Sequence, residues 1–158
     1  MFVGVFAALQ IGWQSVQGSA LERFVIHDAT LVPAAFAASH LTPSIGAHAE
    51  GSRLMAPGGG LNILNGCEGM DALFLLLAAF LAAPLSWRSR LSGIALGIVV
   101  VFLVNQSRIL VLFYAFRIDR HWFDPLHAFV TPIAVVLVIC AYFYVCLARA
   151  AKRPAPSP

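Results

Sequence analysis

The sequence predicts an all-helical integral membrane protein with about four transmembrane helices and a small extracytoplasmic segment before the second. Three observations predict it. Hydrophobic residues make up 60% of the 158 residues and charged residues only 11%, whereas a soluble domain carries roughly a quarter charged residues. The apolar residues collect in runs close to the ~20 residues that a helix needs to cross a bilayer. The charges fall between or at the ends of those runs, and the one that lies well inside a run, Arg108, is costly enough there to point to a function.

The first span is Met1 to Val16, interrupted by Gln10. Nothing basic precedes it, so it reads as a retained helix more readily than as a cleaved signal peptide, for which Gly18-Ser19-Ala20 would supply the small residues. A start codon further upstream is the third reading. Residues 17 to 66 form the extracytoplasmic segment. Within it, Leu21 to Leu41 predicts a helix lying at the interface and broken near Pro33. Gly46, Gly51 and Gly58-Gly59-Gly60 then punctuate short runs, Arg53-Leu54-Met55 and Leu61-Asn62-Ile63-Leu64, which predict a small β-hairpin or meander.

Residues 67 to 148 hold the remaining three spans. The second runs from Glu68 to Trp87, about 30 Å of helix, with Glu68 and Asp71 in a first turn where the helix dipole favours negative charge and Trp87 as an interfacial aromatic. Arg88 and Arg90 form the turn. The third span runs from Leu91 to about Phe116, apolar as far as Val104 and then interrupted by Asn105-Gln106-Ser107-Arg108. The fourth runs from about Leu126 to Ala148. A basic tail over residues 149 to 158 ends in Pro-Ala-Pro-Ser-Pro, a composition that predicts disorder.

Orientation follows from the density of basic residues. Arg88, Arg90, Arg149, Lys152 and Arg153 crowd two short segments at helix ends, where the positive-inside rule applies, whereas Arg23, Arg53, Arg108, Arg117 and Arg120 are dispersed. The sequence therefore predicts both termini in the cytoplasm of a cell whose inner (plasma) membrane holds the chain, with residues 17 to 66 and 117 to 125 outside.

That topology predicts a meeting. Cys67 opens the second span and His127 the fourth, both at the outer surface. Arg108 lies about 26 Å along the third helix from Leu91, close to the far side of a hydrocarbon core about 30 Å thick. A thiolate is the reactive form of cysteine, and a helix N-terminus or a cation favours it. Histidine exchanges protons near neutral pH, and arginine can donate to a carbonyl oxygen that becomes an oxyanion. Cys67 as nucleophile, His127 as general acid and base and Arg108 as oxyanion stabiliser would make a thiol acyl-transfer site. Cys140 and Cys146 read instead as small core hydrophobes, and His27, His40 and His48 as surface residues.

Asn65-Gly66-Cys67-Glu68-Gly69, then Asn105-Gln106-Ser107-Arg108, then Phe123-Asp124-Pro125-Leu126-His127 resemble the core motifs of the exosortase/archaeosortase family over residues 52 to 148. The resemblance implies a membrane-embedded cysteine transpeptidase or protease that processes C-terminal sorting signals on exported proteins: a short motif, a membrane helix and a basic tail. It places the family's cysteine, arginine and histidine on Cys67, Arg108 and His127. It implies no cofactor and no metal, with exported proteins and the lipid bilayer as partners and an acceptor nucleophile yet to be identified. Fewer spans precede the cysteine than is usual in the family, which implies a short subtype or a truncated gene model.

Two other readings of the residues stand beside this one. Asp119, His121, Asp124 and His127 fall within nine residues and could hold a metal for hydrolysis. A non-enzymatic membrane assembly subunit would tolerate replacement of Cys67. Nucleic acid is not an expected partner, because no Lys/Arg run of the kind that tracks phosphates is present.

Overall fold

The computed structural model describes residues 1–63 and 66–152. Leu64 and Asn65, Arg153 and the Pro-rich tail lie outside the described residues, so those parts of the sequence reading have no structural counterpart here. Along the chain come α1 (Phe2–Ser15), α2 (Ala20–Leu41), the strands β1 (His48–Glu50), β2 (Arg53–Ala56) and β3 (Gly59–Asn62), then α3 (Met70–Ala82), α4 (Trp87–Ile118) and α5 (Arg120–Ala151).

The sequence predicts four spans, but among the described helices α2, α4 and α5 are the three that are long and apolar enough to cross a membrane. α1 has 14 residues and α3 has 13, about 20 Å each at 1.5 Å per residue. The second span differs from the expected Glu68–Trp87 at both ends. Gly69, at φ 87, lies outside helical space and makes Met70 the first helical residue. At the other end Pro84 disfavours helix for Ala83, which is extended at ψ 144. Trp87 opens α4 instead of closing α3, and Ser86 caps that helix by accepting from Ser89 N at 3.4 Å.

The expected break at Pro33 does not occur. α2 is continuous, and its turns over Phe24–Leu31 widen to π geometry just before the proline. A wider turn accommodates a residue that cannot donate to the carbonyl four places back. α5 repeats the device: Leu126–Val130 is a π segment immediately before Thr131-Pro132. The loop expected over residues 117 to 125 is instead a one-residue corner. Asp119 is extended, and its carboxylate accepts from His121 N at 2.9 Å to start the next helix.

α4 is the axis of the molecule. Its 32 residues give about 48 Å, so a 30 Å apolar layer beginning at Trp87 ends near Ser107. Toward the Trp87 end, Val101 packs with Leu76 and Phe80 of α3 and Val135 and Ile139 of α5. Gly93 and Gly97 let α3 come close, since a Cβ on either would overlap Phe80 or Leu76. Outward-facing Leu96, Val99 and Leu103 on α4 and Ile133, Leu137 and Tyr144 on α5 are exposed, an apolar band suited to lipid.

Beyond Arg108 the same helix carries a cap. Ile109, Leu112 and Phe113 join Leu31, Ala34 and Ala38 of α2 and Leu54, Leu61 and Ile63 of the sheet region in a second core. The sheet is an antiparallel meander, β1-β2-β3, as the glycine-punctuated sequence predicts. One face is buried through Leu54, Ala56 and Leu61, while His48, Glu50, Arg53 and Asn62 stay exposed, the alternation of a half-solvated sheet.

Candidate active site

The motif Asn105-Gln106-Ser107-Arg108 lies between the two cores, and helical periodicity sends its members in different directions. Asn105 and Arg108, three apart, share a face. Asn105 Nδ2 donates to Cys67 O at 3.2 Å, and Arg108 Nη1 donates to Gly66 O at 3.2 Å. Gln106 turns toward α2 and donates to Thr30 O at 3.2 Å. Ser107 points outward and returns its hydroxyl to Leu103 O. The loop carrying Cys67 is therefore gripped at two successive carbonyls by one helix face. Gly69 leaves the space for this: a Cβ there would lie 2.9 Å from Asn105 Cγ.

The three residues singled out from the sequence come together. Cys67 Sγ is 3.8 Å from Arg108 Nη2 and 3.9 Å from His127 Nδ1. His127 sits in the widened turn of α5 and stacks on Phe123, with ring centroids 5.3 Å apart and planes 7° from parallel. Arg108 is held at its remaining nitrogen as well, Nε donating to Thr131 Oγ1 at 3.2 Å, so one guanidinium joins α4, α5 and the cysteine loop. The site borders a cavity of about 410 Å³ whose walls include β3, Phe116 and Phe123. A larger cavity of about 560 Å³, between Glu22–His27 and the β1–β2 turn, shares Ile63 with it but holds neither the thiol nor the imidazole.

The electrostatics differ from the sequence expectation. Cys67 precedes Gly69, the N-cap of α3, by two residues and is not in the first helical turn. Burial pushes its thiol up from the ordinary range; Arg108 pulls it down, and the carboxylates of Glu68 and Asp71 push it up further. The net direction is upward, so the resting group is a thiol that must lose its proton to a base. Its alkylation by iodoacetamide, which requires the thiolate, is therefore expected to keep rising with pH through 8 and past 9. A plateau reached below pH 8 would contradict this.

Several site residues were not legible as such. Glu68 is buried, and Trp13 Nε1 of α1 donates to its Oε1 at 3.1 Å, while Gln10 Nε2 donates to Asp71 Oδ1 at 2.7 Å. α1 thus fastens the segment on either side of Gly69. Trp13→Phe keeps an aromatic ring beside Phe74 but removes the donor; Glu68 Oε2 already has no partner among the described residues. The expected cost is about 1–3 kcal/mol, that of a buried acceptor left unpaired, read as a lowered thermal midpoint in detergent. No change in the midpoint would mean that water satisfies Glu68.

The alternative metal reading does not assemble. No group of three or more His, Cys, Asp or Glu side chains among the described residues could hold a metal ion. His121 and Asp124 are exposed, and His127 is turned to the thiol. Cys140 is exposed on α5 and not buried as expected, whereas Cys146 packs at the edge of the α3–α5 core. A family model described as transmembrane exosortase matches residues 3–150. Neither a curated protein nor a solved structure matches the chain.

Proposed function

The chain belongs to the transmembrane exosortase family, and on that premise we propose that it is a cysteine transpeptidase or protease that processes C-terminal sorting signals of exported proteins. The observation that carries this reading is the position of one loop sulfur, within 4 Å of both a guanidinium on α4 and an imidazole on α5. His127 takes the Cys67 proton through Nδ1 as sulfur attacks the scissile carbonyl. The carbonyl oxygen gains negative charge and is held by Arg108, whose Nη2 already lies beside the sulfur. His127 then returns the proton to the departing amine, leaving a thioester on Cys67. Water or an amine completes transfer by attacking that thioester.

The reaction takes place at the outer surface of the inner membrane. Arg108 lies about one bilayer thickness along α4 from Trp87, and the density of basic residues near Trp87 and in the tail supports a cytoplasmic position for that end. Membrane anchorage of both enzyme and substrate tail supplies the proximity that lowers the barrier by several kcal/mol.

The test is co-expression with an exported reporter ending in a sorting segment from the same genome: a short motif, an apolar helix and a basic tail. The expected result is a shortened reporter in cells with the wild-type protein, and labelling of Cys67 by a membrane-impermeant maleimide in intact spheroplasts of a Cys140→Ala, Cys146→Ala background. An unshortened reporter would overturn the activity. Labelling only after the cytoplasmic side is opened would reverse the orientation.

A further inference from the structure

We infer that the substrate binds as an added β-strand along the free edge of β3, which feeds its scissile bond to Cys67; this rests on the peptidase reading above. β3 is an outer strand of the sheet, and Gly60 to Ile63 line the same cavity as Cys67, Arg108 and His127. The sheet therefore presents an edge, and not only a face, to the chemistry.

The register determines which backbone groups are available. Ile63 N donates to Ser52 O at 2.8 Å, and Leu61 pairs with Leu54 and Gly59 with Ala56. In an antiparallel ladder, alternate residues turn both N–H and C=O to the partner strand. Ile63, Leu61 and Gly59 therefore face β2, and Gly60 and Asn62 turn their N–H and C=O away from it. Among the described residues, neither Gly60 nor Asn62 makes a backbone bond outside the sheet. Two residues spaced about 6.8 Å apart along a strand offer two donors and two acceptors to a cavity that otherwise has largely apolar walls.

An extended peptide has the complementary repeat. Pairing through main-chain groups binds it without demanding particular side chains at every position. Phe123, which stacks on His127, lines the same cavity as β3, so a strand seated on the edge shares that cavity with the histidine. Unpaired strand edges are normally blunted by charge, proline or a covering element. Here the groups facing the site come from a glycine and from Asn62, whose side chain is engaged by Ser52 Oγ at 2.9 Å.

The inference is tested in the full-length protein with Cys67→Ala, so that the uncleaved reporter stays bound. The photo-cross-linker p-benzoylphenylalanine is placed at position 62 on β3 or at position 50 on β1, the opposite outer strand. Cross-linking of the reporter from 62 and not from 50 is the expected result. Alongside it, Asn62→Pro removes one edge N–H that β2 does not use, and Asn62→Ala removes the same side chain while keeping that N–H. With Cys67 intact, Asn62→Pro should process the reporter about tenfold more slowly than Asn62→Ala, as expected for one lost hydrogen bond. Equal cross-linking from both edges, or none from 62, overturns the edge-binding inference while leaving the peptidase reading standing if the wild type shortens the reporter. Failure of the wild type to shorten it overturns both.

Discussion

Arg108→Lys is expected to insert and accumulate normally and to process substrate roughly a hundred to a thousand times more slowly, the cost of losing a well-aimed oxyanion donor. A lysine in this position keeps the charge and a long stem, so a residue that only anchors α4 at the interface would tolerate the change. The geometry demands more than charge. Three nitrogens of one planar group reach Thr131 Oγ1, Gly66 O and the neighbourhood of Cys67 Sγ in three directions. An ammonium is a compact point charge and cannot reproduce that fork. Because the lost interaction belongs mainly to the transition state, the variant should still retain uncleaved substrate in a pull-down. Near-normal turnover at matched membrane levels would reduce Arg108 to an anchor.

Cys67→Ala is expected to abolish processing, whereas Cys140→Ala with Cys146→Ala should keep most of it. On the proposed mechanism, removing the sulfur leaves no nucleophile between the imidazole and the guanidinium and nothing for His127 to deprotonate. The other two thiols lie further along α5, one exposed and one against the α3–α5 core, and Cys67 is the cysteine that lines the cavity with His127. Reporter shortening, measured over time at equal expression, separates the two variants. A dead double variant beside an active Cys67→Ala would move the nucleophile to α5.

The meeting of Cys67, Arg108 and His127 was legible because each is chemically conspicuous in an apolar chain and each sits at a predictable height, Arg108 and His127 on their helices and Cys67 just before the start of α3. The sheet was legible from glycines alternating with short runs. The second span is shorter than its composition implies because composition alone does not register Gly69's positive φ or Pro84's effect on Ala83, and these trim α3 to 13 residues. Pro33 looked like a break because a one-dimensional reading has no place for a π turn that absorbs a proline. The Trp13–Glu68 and Asn105–Cys67 contacts were invisible for another reason. Each joins residues dozens of positions apart, and only the packing of α1 on α3, and of α4 on the cysteine loop, selects those partners.

The central claim is that Cys67 becomes acylated by the substrate. Its most direct test is mass spectrometry of the membrane protein recovered during turnover of the reporter, acid-quenched to preserve thioesters and digested to isolate the Cys67 peptide. The account predicts an adduct on Cys67 whose added mass equals that of the truncated reporter segment. The adduct should disappear on treatment with neutral hydroxylamine and should never form in Cys67→Ala. Reporter shortening that continues in Cys67→Ala, with no adduct on the wild-type peptide, would contradict it.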